Sequence, residues 1–549
     1  MNRANSSSSL PFHSSGSRKT SVQSLAITVK RMGLVRLCAL VGICIASLLV
    51  ISRAFRHETV LNNNDRVEHS LQEHEREETV RHILNTRRSQ YLFEDFSDEA
   101  FGNEHLIATT AILLSWKRVE GLKTIVRYLA RYPYIKEIII WNNNKENHLT
   151  KADFAMTDDD MAAFNGGNGA ALPEIKVVNA QENLHDLAKY MSCSLASYSY
   201  CYFQDDDWLN THMDALYTNF LTSPNLIHTN TLPLIHMEHR RWTFTNEAVK
   251  MHAGFSWMGT GSFLPRAKAR QLLQQGGNSN LAKDRLRVID MYFSIWTNQY
   301  PYQLVNYLTP LDQANSWSED GVDDHWKIVF GNMLDAANRL YDALFANPEV
   351  SEKDYFAREE ELPPMKDRHD RAPCHNDKCL FMTSLDPFPL PSEVKFERDL
   401  TEITQQDTRF QALQYPTNKF WEEKAYIHAV DNDPRTCWNS FKTPQIGDSI
   451  GLRFVVPTAV KQLKVASSRS IAGMGNQISV YVSDRVGYEW VKCQHTTRYP
   501  FAHSMLLDLN CPTSPLLSKG LVNIVKIQFE AAQEKSLDVC GFEVAGMTL

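Results

Sequence analysis

The sequence predicts an α/β domain with a mostly parallel sheet, followed by an all-β sandwich and preceded by one membrane-spanning helix. Strands and helices alternate from Thr109, short alternating strands follow Tyr415, and residues 33–52 are almost entirely apolar. With 549 residues, the chain is too long for one hydrophobic core. The composition, 43% hydrophobic and 22% charged, excludes a collagenous or mostly disordered chain. The net charge of −7 implies no basic surface, so we expect no nucleic acid partner.

The N-terminal segments predict a membrane anchor. Residues 1–32 are Ser-rich and basic, which predicts a disordered cytosolic tail. Residues 33–52 carry Arg36 as their only charge, and a helix of about 20 residues crosses a bilayer core. Because the positive flank stays in the cytosol, we expect a type II signal anchor of the Golgi or ER membrane, with the body in the lumen. A buried core helix and a cleaved signal peptide are the alternatives. Residues 53–105 are highly charged and predict a stem.

The cysteines agree with an oxidising compartment. Two of the ten, Cys38 and Cys44, fall in the apolar segment, and the other eight follow it. This even number permits disulfides but does not give their connectivity. The segment from Cys374 to Cys379 contains His375, but it has no second Cys/His pair at zinc spacing. A small disulfide loop is therefore favoured there over a metal knuckle.

An α/β region is predicted from Thr109 onward. Four apolar runs of strand length, TTAILLSW, KEIIIW, EIKVVN and YSYCYF, alternate with segments of helical periodicity. This alternation predicts a mostly parallel sheet covered on both faces. The fourth run leads directly into Asp205, Asp206 and Asp207, so we expect these carboxylates at the end of a strand, where such sheets bind ligands.

Adjacent carboxylates at a strand end predict a site for a hard cation. Mn²⁺ or Mg²⁺ is held by one or two carboxylates together with phosphate oxygens, and it neutralises a departing diphosphate. The alternative is a solvated turn, which is our interpretation of the other Asp triplet, residues 158–160, because no strand precedes it. Asp290 differs from both triplets, since it is a lone acid in the apolar run RVIDMYFSIW. A buried acid needs a partner or a function.

Five motifs follow one another along the chain: SWKR, IIIWNNN, YCYFQDDDW, GTGSFLPR and IDMYFSIW. In this order they resemble exostosin and exostosin-like glycosyltransferase domains. The resemblance covers about Thr109 to Leu344, within a domain of residues 106–345. It implies a GT-A fold, which is a Rossmann-like α/β fold, a UDP-sugar donor and a divalent metal, Mn²⁺ or Mg²⁺.

The resemblance also implies a nucleotide-sugar site. Arg118 matches an arginine that approaches the nucleotide, and Asn143 matches an asparagine that contacts the uridine part. Asn183 matches an asparagine at the start of the helix before the Asp triplet. The family has arginines after that asparagine, and here Lys189 is the residue that stands in for them.

The acidic residues have separate implied roles. Asp205 and Asp206 are expected to bind the nucleotide sugar. Asp207 and Asp205 are expected to hold the metal, with Asp207 as the more direct ligand. Asp290 matches an acidic residue that faces the acceptor or the reacting sugar, so it is the predicted catalytic residue.

The C-terminal region has a different pattern. Residues 346–411 combine prolines with charge runs and are predicted to be a linker. Residues 412–549 contain short alternating strands between turns, which predicts an antiparallel sandwich. The segments AVDNDPRTCWNS and CGFEV resemble discoidin or coagulation-factor-type C domains. This resemblance implies loops that bind glycans or membrane surfaces, and a module that only supports the rest of the chain is the alternative.

Taken together, the residues and the resemblances predict a metal-dependent type II membrane glycosyltransferase. It would transfer a sugar, with an N-acetylhexosamine expected, from a UDP-sugar to a lumenal glycan or glycoprotein. The alternative is a catalytically inactive glycan-binding membrane protein that keeps both folds.

Overall fold

The computed structural model describes residues 107–157, 172–312, 325–346, 364–398, 400–483, 490–512 and 520–545. All of these residues belong to one compact unit. The predicted tail, anchor and stem, residues 1–105, lie outside the described residues. In the part of the chain that the structure describes, no helix has the length and apolar character that crossing a membrane requires.

The first part of the described chain is an α/β domain. Its strands are β1 Thr109–Ser115, β2 Ile135–Asn142, β3 Glu174–Asn179, β4 Tyr200–Gln204, β5 Trp208–Leu209, β6 His228–Thr231, β7 Thr243–Asn246, β8 Met251–Gly254, β9 Ser262–Pro265, β10 Tyr302–Val305 and β11 Thr309–Pro310. Its helices are α1 Val119–Leu129, α2 Leu187–Leu195, α3 Met213–Thr222, α4 Pro233–Arg241, α5 Arg266–Asn278, α6 Lys283–Leu286, α7 Asp290–Trp296 and α8 His325–Ala346.

Seven of these strands form one sheet in the order β10-β6-β9-β4-β1-β2-β3. β1 pairs in parallel with β2 and β4, β2 with β3, and β6 with β10. β9 is antiparallel to both of its neighbours, β4 and β6. The sheet is therefore mostly parallel, as predicted. The carboxyl ends of β1, β2, β4, β6 and β10 meet at one edge, which we call the carboxyl edge.

Neighbouring side chains of the central strands pack in two different hydrophobic cores, one on each face of the sheet. Leu113 on β1 packs in the core that contains α1 and α3, whereas Ile112 packs in the core that contains α2, α5 and α7. Successive side chains of a strand point to opposite faces, so a continuous apolar run serves both cores. The helix α1 buries Leu122, Ile125 and Leu129, which lie on one face at helical spacing.

The second part is an antiparallel sandwich with two further helices. Its strands are β12 Asp370–Pro373, β13 Cys379–Thr383, β14 Trp438–Asn439, β15 Ser449–Thr458, β16 Gln462–Ala466, β17 Ile478–Ser483, β18 Val491–Phe501, β19 Ser504–Asn510, β20 Val522–Phe529, β21 Asp538–Val539 and β22 Gly541–Val544, and its helices are α9 Ile403–Gln411 and α10 Asn418–Glu423. Nine strands pair in the order β12-β13-β15-β20-β17-β18-β19-β16-β22. Residues from both ends of this order share one core, so the two halves pack face to face.

The predicted linker, residues 346–411, is wrong in the part that the structure describes. Cys379–Thr383 forms β13, which pairs along its whole length with β15 of the sandwich, and β12 extends the sheet by one more strand. The prolines and charges around this short apolar run obscured it in the sequence, because five residues are enough for a strand but give a weak pattern. Residues 347–363 lie outside the described residues.

The two parts are joined by direct contacts. The carboxylate of Asp377, in the turn between β12 and β13, accepts hydrogen bonds of 2.9 Å from the amides of Asp214 and Ala215. These amides open α3 of the α/β domain, so a sandwich residue caps that helix. The core of the α/β domain also includes Leu380 and Val455 from the sandwich.

All eight cysteines after the predicted anchor are paired. The disulfides are Cys193–Cys201, Cys374–Cys379, Cys437–Cys540 and Cys493–Cys511. The small loop predicted at Cys374 and Cys379 is therefore confirmed. Disulfides persist in oxidising compartments, which agrees with a secretory route.

Candidate functional site

The Asp triplet lies directly after β4, at the carboxyl edge where the sequence predicted it. The Asp205 amide donates to the carbonyl oxygen of Gly259 at 2.8 Å, which fixes the triplet against the loop before β9. A Cβ atom on Gly259 would lie 1.7 Å from Oδ2 of Asp205. Only glycine permits so close an approach between this loop and the carboxylate.

Arg118 joins two members of the triplet. It follows β1 and immediately precedes α1. Its Nη2 lies 2.6 Å from Oδ1 of Asp206, and its Nη1 lies 3.1 Å from Oδ2 of Asp207. Asp206 is buried, whereas 21% of the Asp207 side chain is exposed. Arg118 therefore holds the inner carboxylate and leaves Asp207 facing the surface of the carboxyl edge.

Lys189 extends from α2 into a closed acidic cluster. Its Nζ lies 3.0 Å from Oδ1 of Asp205, 3.2 Å from Oδ2 of Asp290 and 3.4 Å from Oδ1 of Asp186. Only 3% of the lysine side chain is exposed. Three carboxylates therefore surround the ammonium group, and the predicted contact between Lys189 and a nucleotide sugar stays a prediction.

Asp290 is the first residue of α7 and is buried. One of its oxygens faces Lys189, and the other accepts a hydrogen bond of 2.7 Å from the hydroxyl of Tyr190. The partner that the sequence required for this acid is thus present. Both oxygens are thus engaged by side chains of the protein, and the catalytic role that the resemblance implies for Asp290 stays a prediction.

The carboxylates of this site are short of positive charge. Burial raises the pKa of Asp206 to about 7, although Arg118 opposes the rise. Burial likewise raises the pKa of Asp186 to about 7, with Lys189 opposing the rise and neighbouring carboxylates adding to it. Burial also raises the pKa values of Asp207 and Asp290. The site thus combines five carboxyl groups with two cationic side chains, Arg118 and Lys189, and burial favours the neutral form of its inner carboxyl groups.

The side chains of Asn143 and Asn183 both bond to the backbone of the same turn, residues 184–185. The amide of Leu184 donates to Oδ1 of Asn143 at 3.1 Å, and Nδ2 of Asn143 donates to the carbonyl of His185 at 3.3 Å. Oδ1 of Asn183 accepts from the amide of His185 at 2.9 Å, and His185 adopts a positive φ of 49°. The buried Asn143 therefore ties the end of β2 to the turn that leads into α2, which carries Lys189.

The residues at the carboxyl edge fit a hard divalent cation. Asp205 and Asp207 expose 37% and 21% of their side chains, and their oxygens are the donors that Mn²⁺ and Mg²⁺ prefer. Within the described ranges, no group of three or more His, Cys, Asp or Glu side chains is arranged to hold a metal ion by itself. One or two carboxylates are enough where substrate phosphates supply the remaining ligands. Each of the two already pairs with one cationic side chain, Asp205 with Lys189 and Asp207 with Arg118.

Three residues of the site were missed in the sequence. Asp186 was skipped because a polar segment before a helix favours a solvated start, and Tyr190 because an aromatic residue on a helix usually belongs to the core. Gly259 had a signal, since it lies in the Gly-rich GTGSFLPR motif. Its contact with Asp205 depends on the pairing of β4 with β9, which the sequence does not show.

Comparisons with known proteins give matches to solved structures alone. No protein family matches the chain, and no curated protein matches it. Similar structures include the CBM32-1 and CBM32-2 domains of Clostridium perfringens ZmpB, with 14% identity over 21% of this chain and 29% of that chain, at a TM-score of 0.18.

Two further structures bound to sugars are similar over a comparable extent. CpGH89CBM32-5 of Clostridium perfringens, in complex with GalNAc-β-1,3-galactose, is 18% identical over 22% of this chain and 82% of that chain, at a TM-score of 0.17. The family 32 CBM of C. perfringens NanJ, in complex with galactose, is 9% identical over 22% of this chain and 83% of that chain, at a TM-score of 0.17. TM-scores this low carry no argument about the ligand of this chain, and its all-β sandwich is established by its own strand pairing.

Proposed function

We propose that this protein acts on glycans, as a glycosyltransferase that takes its sugar from a UDP-sugar. The proposed GT-A domain is residues 106–345, and the expected sugar is an N-acetylhexosamine. The observation that carries the proposal is the Asp triplet at the carboxyl end of β4, with Arg118 after the adjacent β1. Ligands of open α/β sheets bind beyond this edge, and adjacent carboxylates there suit a nucleotide diphosphate with its metal.

Each residue at the edge has a separate task in this proposal. Asp207 binds the cation that accompanies the diphosphate, and Arg118 holds Asp206 and Asp207 in place for it. Asn143 fixes the turn beside the nucleotide. A bound Mn²⁺ or Mg²⁺ supplies positive charge that stabilises the leaving diphosphate. Lys189 and Asp290 keep Asp205 oriented from inside the protein.

The proposal is tested by Mn²⁺-dependent binding of UDP to the full chain, measured by calorimetry. Asp207→Asn should weaken binding by at least about tenfold, because it removes one charge from a hard-cation site without changing the shape of the side chain. Asp342→Asn is the matched control, since Asp342 lies on α8 and its carboxylate pairs with Arg398 rather than with Arg118 or Lys189. Wild-type protein that binds no UDP, with or without Mn²⁺, would rule out the glycosyltransferase proposal.

A second candidate function is glycan binding without catalysis. It is favoured by the ion pairs that Lys189 and Arg118 already make with all three aspartates, which leave less negative charge free for a metal. GalNAc and galactose, which occur in the sugar complexes of two similar structures, serve as probes for this candidate. Binding of either sugar by protein that binds no UDP would establish the second candidate over the first.

The proposed location is the Golgi or ER membrane, with the body in the lumen. It rests on the apolar segment 33–52 and its basic N-terminal flank. The pairing of Cys193, Cys201 and six further cysteines agrees with an oxidising lumen. Protease treatment of intact microsomes should leave residues 53–549 protected, and digestion of the sandwich without detergent would contradict this orientation.

A further inference from the structure

Tyr307 presents an aromatic ring at the carboxyl edge of the sheet. It lies two residues beyond Val305, the last residue of β10, and is 45% exposed. Trp141, near the end of β2, is by contrast buried. Exposed aromatic rings at a ligand edge are typical of binding sites, because the ring offers a flat apolar face.

The hydroxyl end of this ring is held by the sandwich. The Tyr307 hydroxyl lies 3.2 Å from Nε2 of His428. Nδ1 of His428 lies 2.9 Å from Oδ2 of Asp431, and the carbonyl of Glu422 lies 3.2 Å from Nε2, so the imidazole is fixed through both nitrogens. The Thr436 hydroxyl donates to the same Asp431 oxygen at 2.6 Å. The ring is therefore held in one position although the residue is 45% exposed, which lowers the conformational entropy that is lost when a ligand binds.

The order of the sheet places Tyr307 on the side away from the nucleotide residues. Arg118 and Asn143 follow β1 and β2, and the Asp triplet follows β4. Moving from β2 through β1 and β4, the sheet continues to β9, β6 and finally β10, which leads to Tyr307. After Tyr307 the chain turns back as β11, which pairs with β5, and the amide of Leu311 donates to the carbonyl of Asp207 at 2.8 Å. A short segment thus connects Tyr307 to the triplet.

We propose that Tyr307 is a stacking platform for a sugar ring of the acceptor glycan, and that His428 makes the sandwich part of the acceptor site. The proposal rests on the glycosyltransferase function and assigns its acceptor side. The apolar face of a pyranose packs on the exposed face of the phenol ring, while His428 keeps the ring from rotating away. Asp431 acts as a positioning residue for His428.

The experiment separates the ring from its hydroxyl. The probes are the methyl β-glycosides of galactose, GalNAc and GlcNAc, and their binding to the full chain is measured by saturation-transfer NMR. Tyr307→Leu should weaken binding of at least one probe by about tenfold, whereas Tyr307→Phe and Tyr307→Trp, which keep a ring, should stay within about threefold of wild type. His428→Gln should bind as Tyr307→Phe does, because each variant removes the contact between the hydroxyl and the imidazole and keeps a ring at position 307.

Mn²⁺-dependent UDP binding is measured on the same samples and should be unchanged in all four variants. If wild-type protein bound no UDP, the glycosyltransferase proposal would be wrong. The glycoside titrations would still test separately whether Tyr307 binds a sugar ring. Equal losses in Tyr307→Leu and Tyr307→Phe would overturn the platform, since only the hydroxyl contact would then matter. Equal binding of every probe to wild type and Tyr307→Leu, or no binding of any probe to wild type, would overturn it as well.

Discussion

Nζ of Lys189 lies 3.2 Å from Oδ2 of Asp290, and both side chains are almost completely excluded from solvent. The two residues are separated by 101 positions, and Lys189 also contacts Asp186 and Asp205. Burial lowers the pKa of Lys189, but the negative charges of its three acidic partners outweigh this effect and raise the pKa well above its ordinary value. This lysine joins α2, α7 and the end of β4 at one point.

Removal of the lysine charge should destabilise the fold. In Lys189→Met the buried carboxylates lose their shared counter-ion, and breaking a buried pair by removing one partner costs about 3–5 kcal/mol. We expect a fall of this size in the free energy of unfolding, measured by chemical denaturation at neutral pH. The control Lys123→Met removes a lysine from a solvent-exposed pair with Glu120, for which the cost is below about 1 kcal/mol. Equal effects of the two variants would contradict the central role of Lys189.

The contact between Gly259 and Asp205 gives a test of the site that does not change any charge. In Gly259→Ala the new methyl group would overlap Oδ2 of Asp205, so the carboxylate or the loop must move. We expect Mn²⁺-dependent UDP binding to weaken by about tenfold. Gly277→Ala is the matched control, because Gly277 lies in α5 and a Cβ atom added there would meet no described atom within 4 Å.

The control variant carries its own expectation. Alanine is favoured over glycine inside a helix by about 0.5–1 kcal/mol, so Gly277→Ala should leave UDP binding unchanged and raise the melting temperature slightly. If Gly259→Ala bound UDP as well as Gly277→Ala does, Asp205 would have no part in the site.

The cap that Asp377 places on α3 should be measurable as stability. Asp377→Ala leaves the amides of Asp214 and Ala215 without their acceptor, and loss of such a cap costs about 1–2 kcal/mol. We expect this loss in denaturant unfolding. Asp153→Ala removes a similar side-chain contact to the Thr150 amide at an exposed turn and should have a far smaller effect. A smaller loss for Asp377 than for Asp153 would show that the cap adds nothing to the joint between the two parts.

The buried His239 predicts a fall in stability toward acid pH. Burial lowers its pKa to about 3. Its Nε2 accepts a hydrogen bond from the amide of Trp257, and only the neutral imidazole can do so. In the unfolded chain a histidine has a pKa of about 6.5. Between this pH and the pKa of the folded state, the unfolded state therefore binds more protons than the folded state. The free energy of unfolding should therefore decrease as the pH falls, by up to about 1.4 kcal/mol per pH unit for this group.

Denaturant titrations between about pH 7 and about pH 4 check this slope. His239→Asn should flatten it, because the variant has no group at this position that protonates in the unfolded state. His148→Asn, at an exposed position, is the matched control and should leave the slope as in wild type. An unaltered slope in His239→Asn would show that other groups cause the acid sensitivity.

Local patterns in the sequence were sufficient for several elements. The runs TTAILLSW, KEIIIW and EIKVVN became β1, β2 and β3; the first two are mostly buried inside the sheet, whereas β3 lies at its edge and is partly exposed. The position of Asp205–Asp207 followed from the strand immediately before it. The disulfide between Cys374 and Cys379 followed in the same way from their short separation.

Contacts between distant residues were decided by the tertiary structure. Lys189 and Asp290 are 101 positions apart, and the packing of α7 against α2 brings them together. The strand β13 was hidden in a predicted linker until β15 provided its partner. Tyr307 acquires its fixed ring through His428, which lies 121 residues further along the chain. A sequence pattern reports what a segment can form by itself, whereas these contacts depend on which segments the sheet order brings together, and therefore only the folded chain determines them.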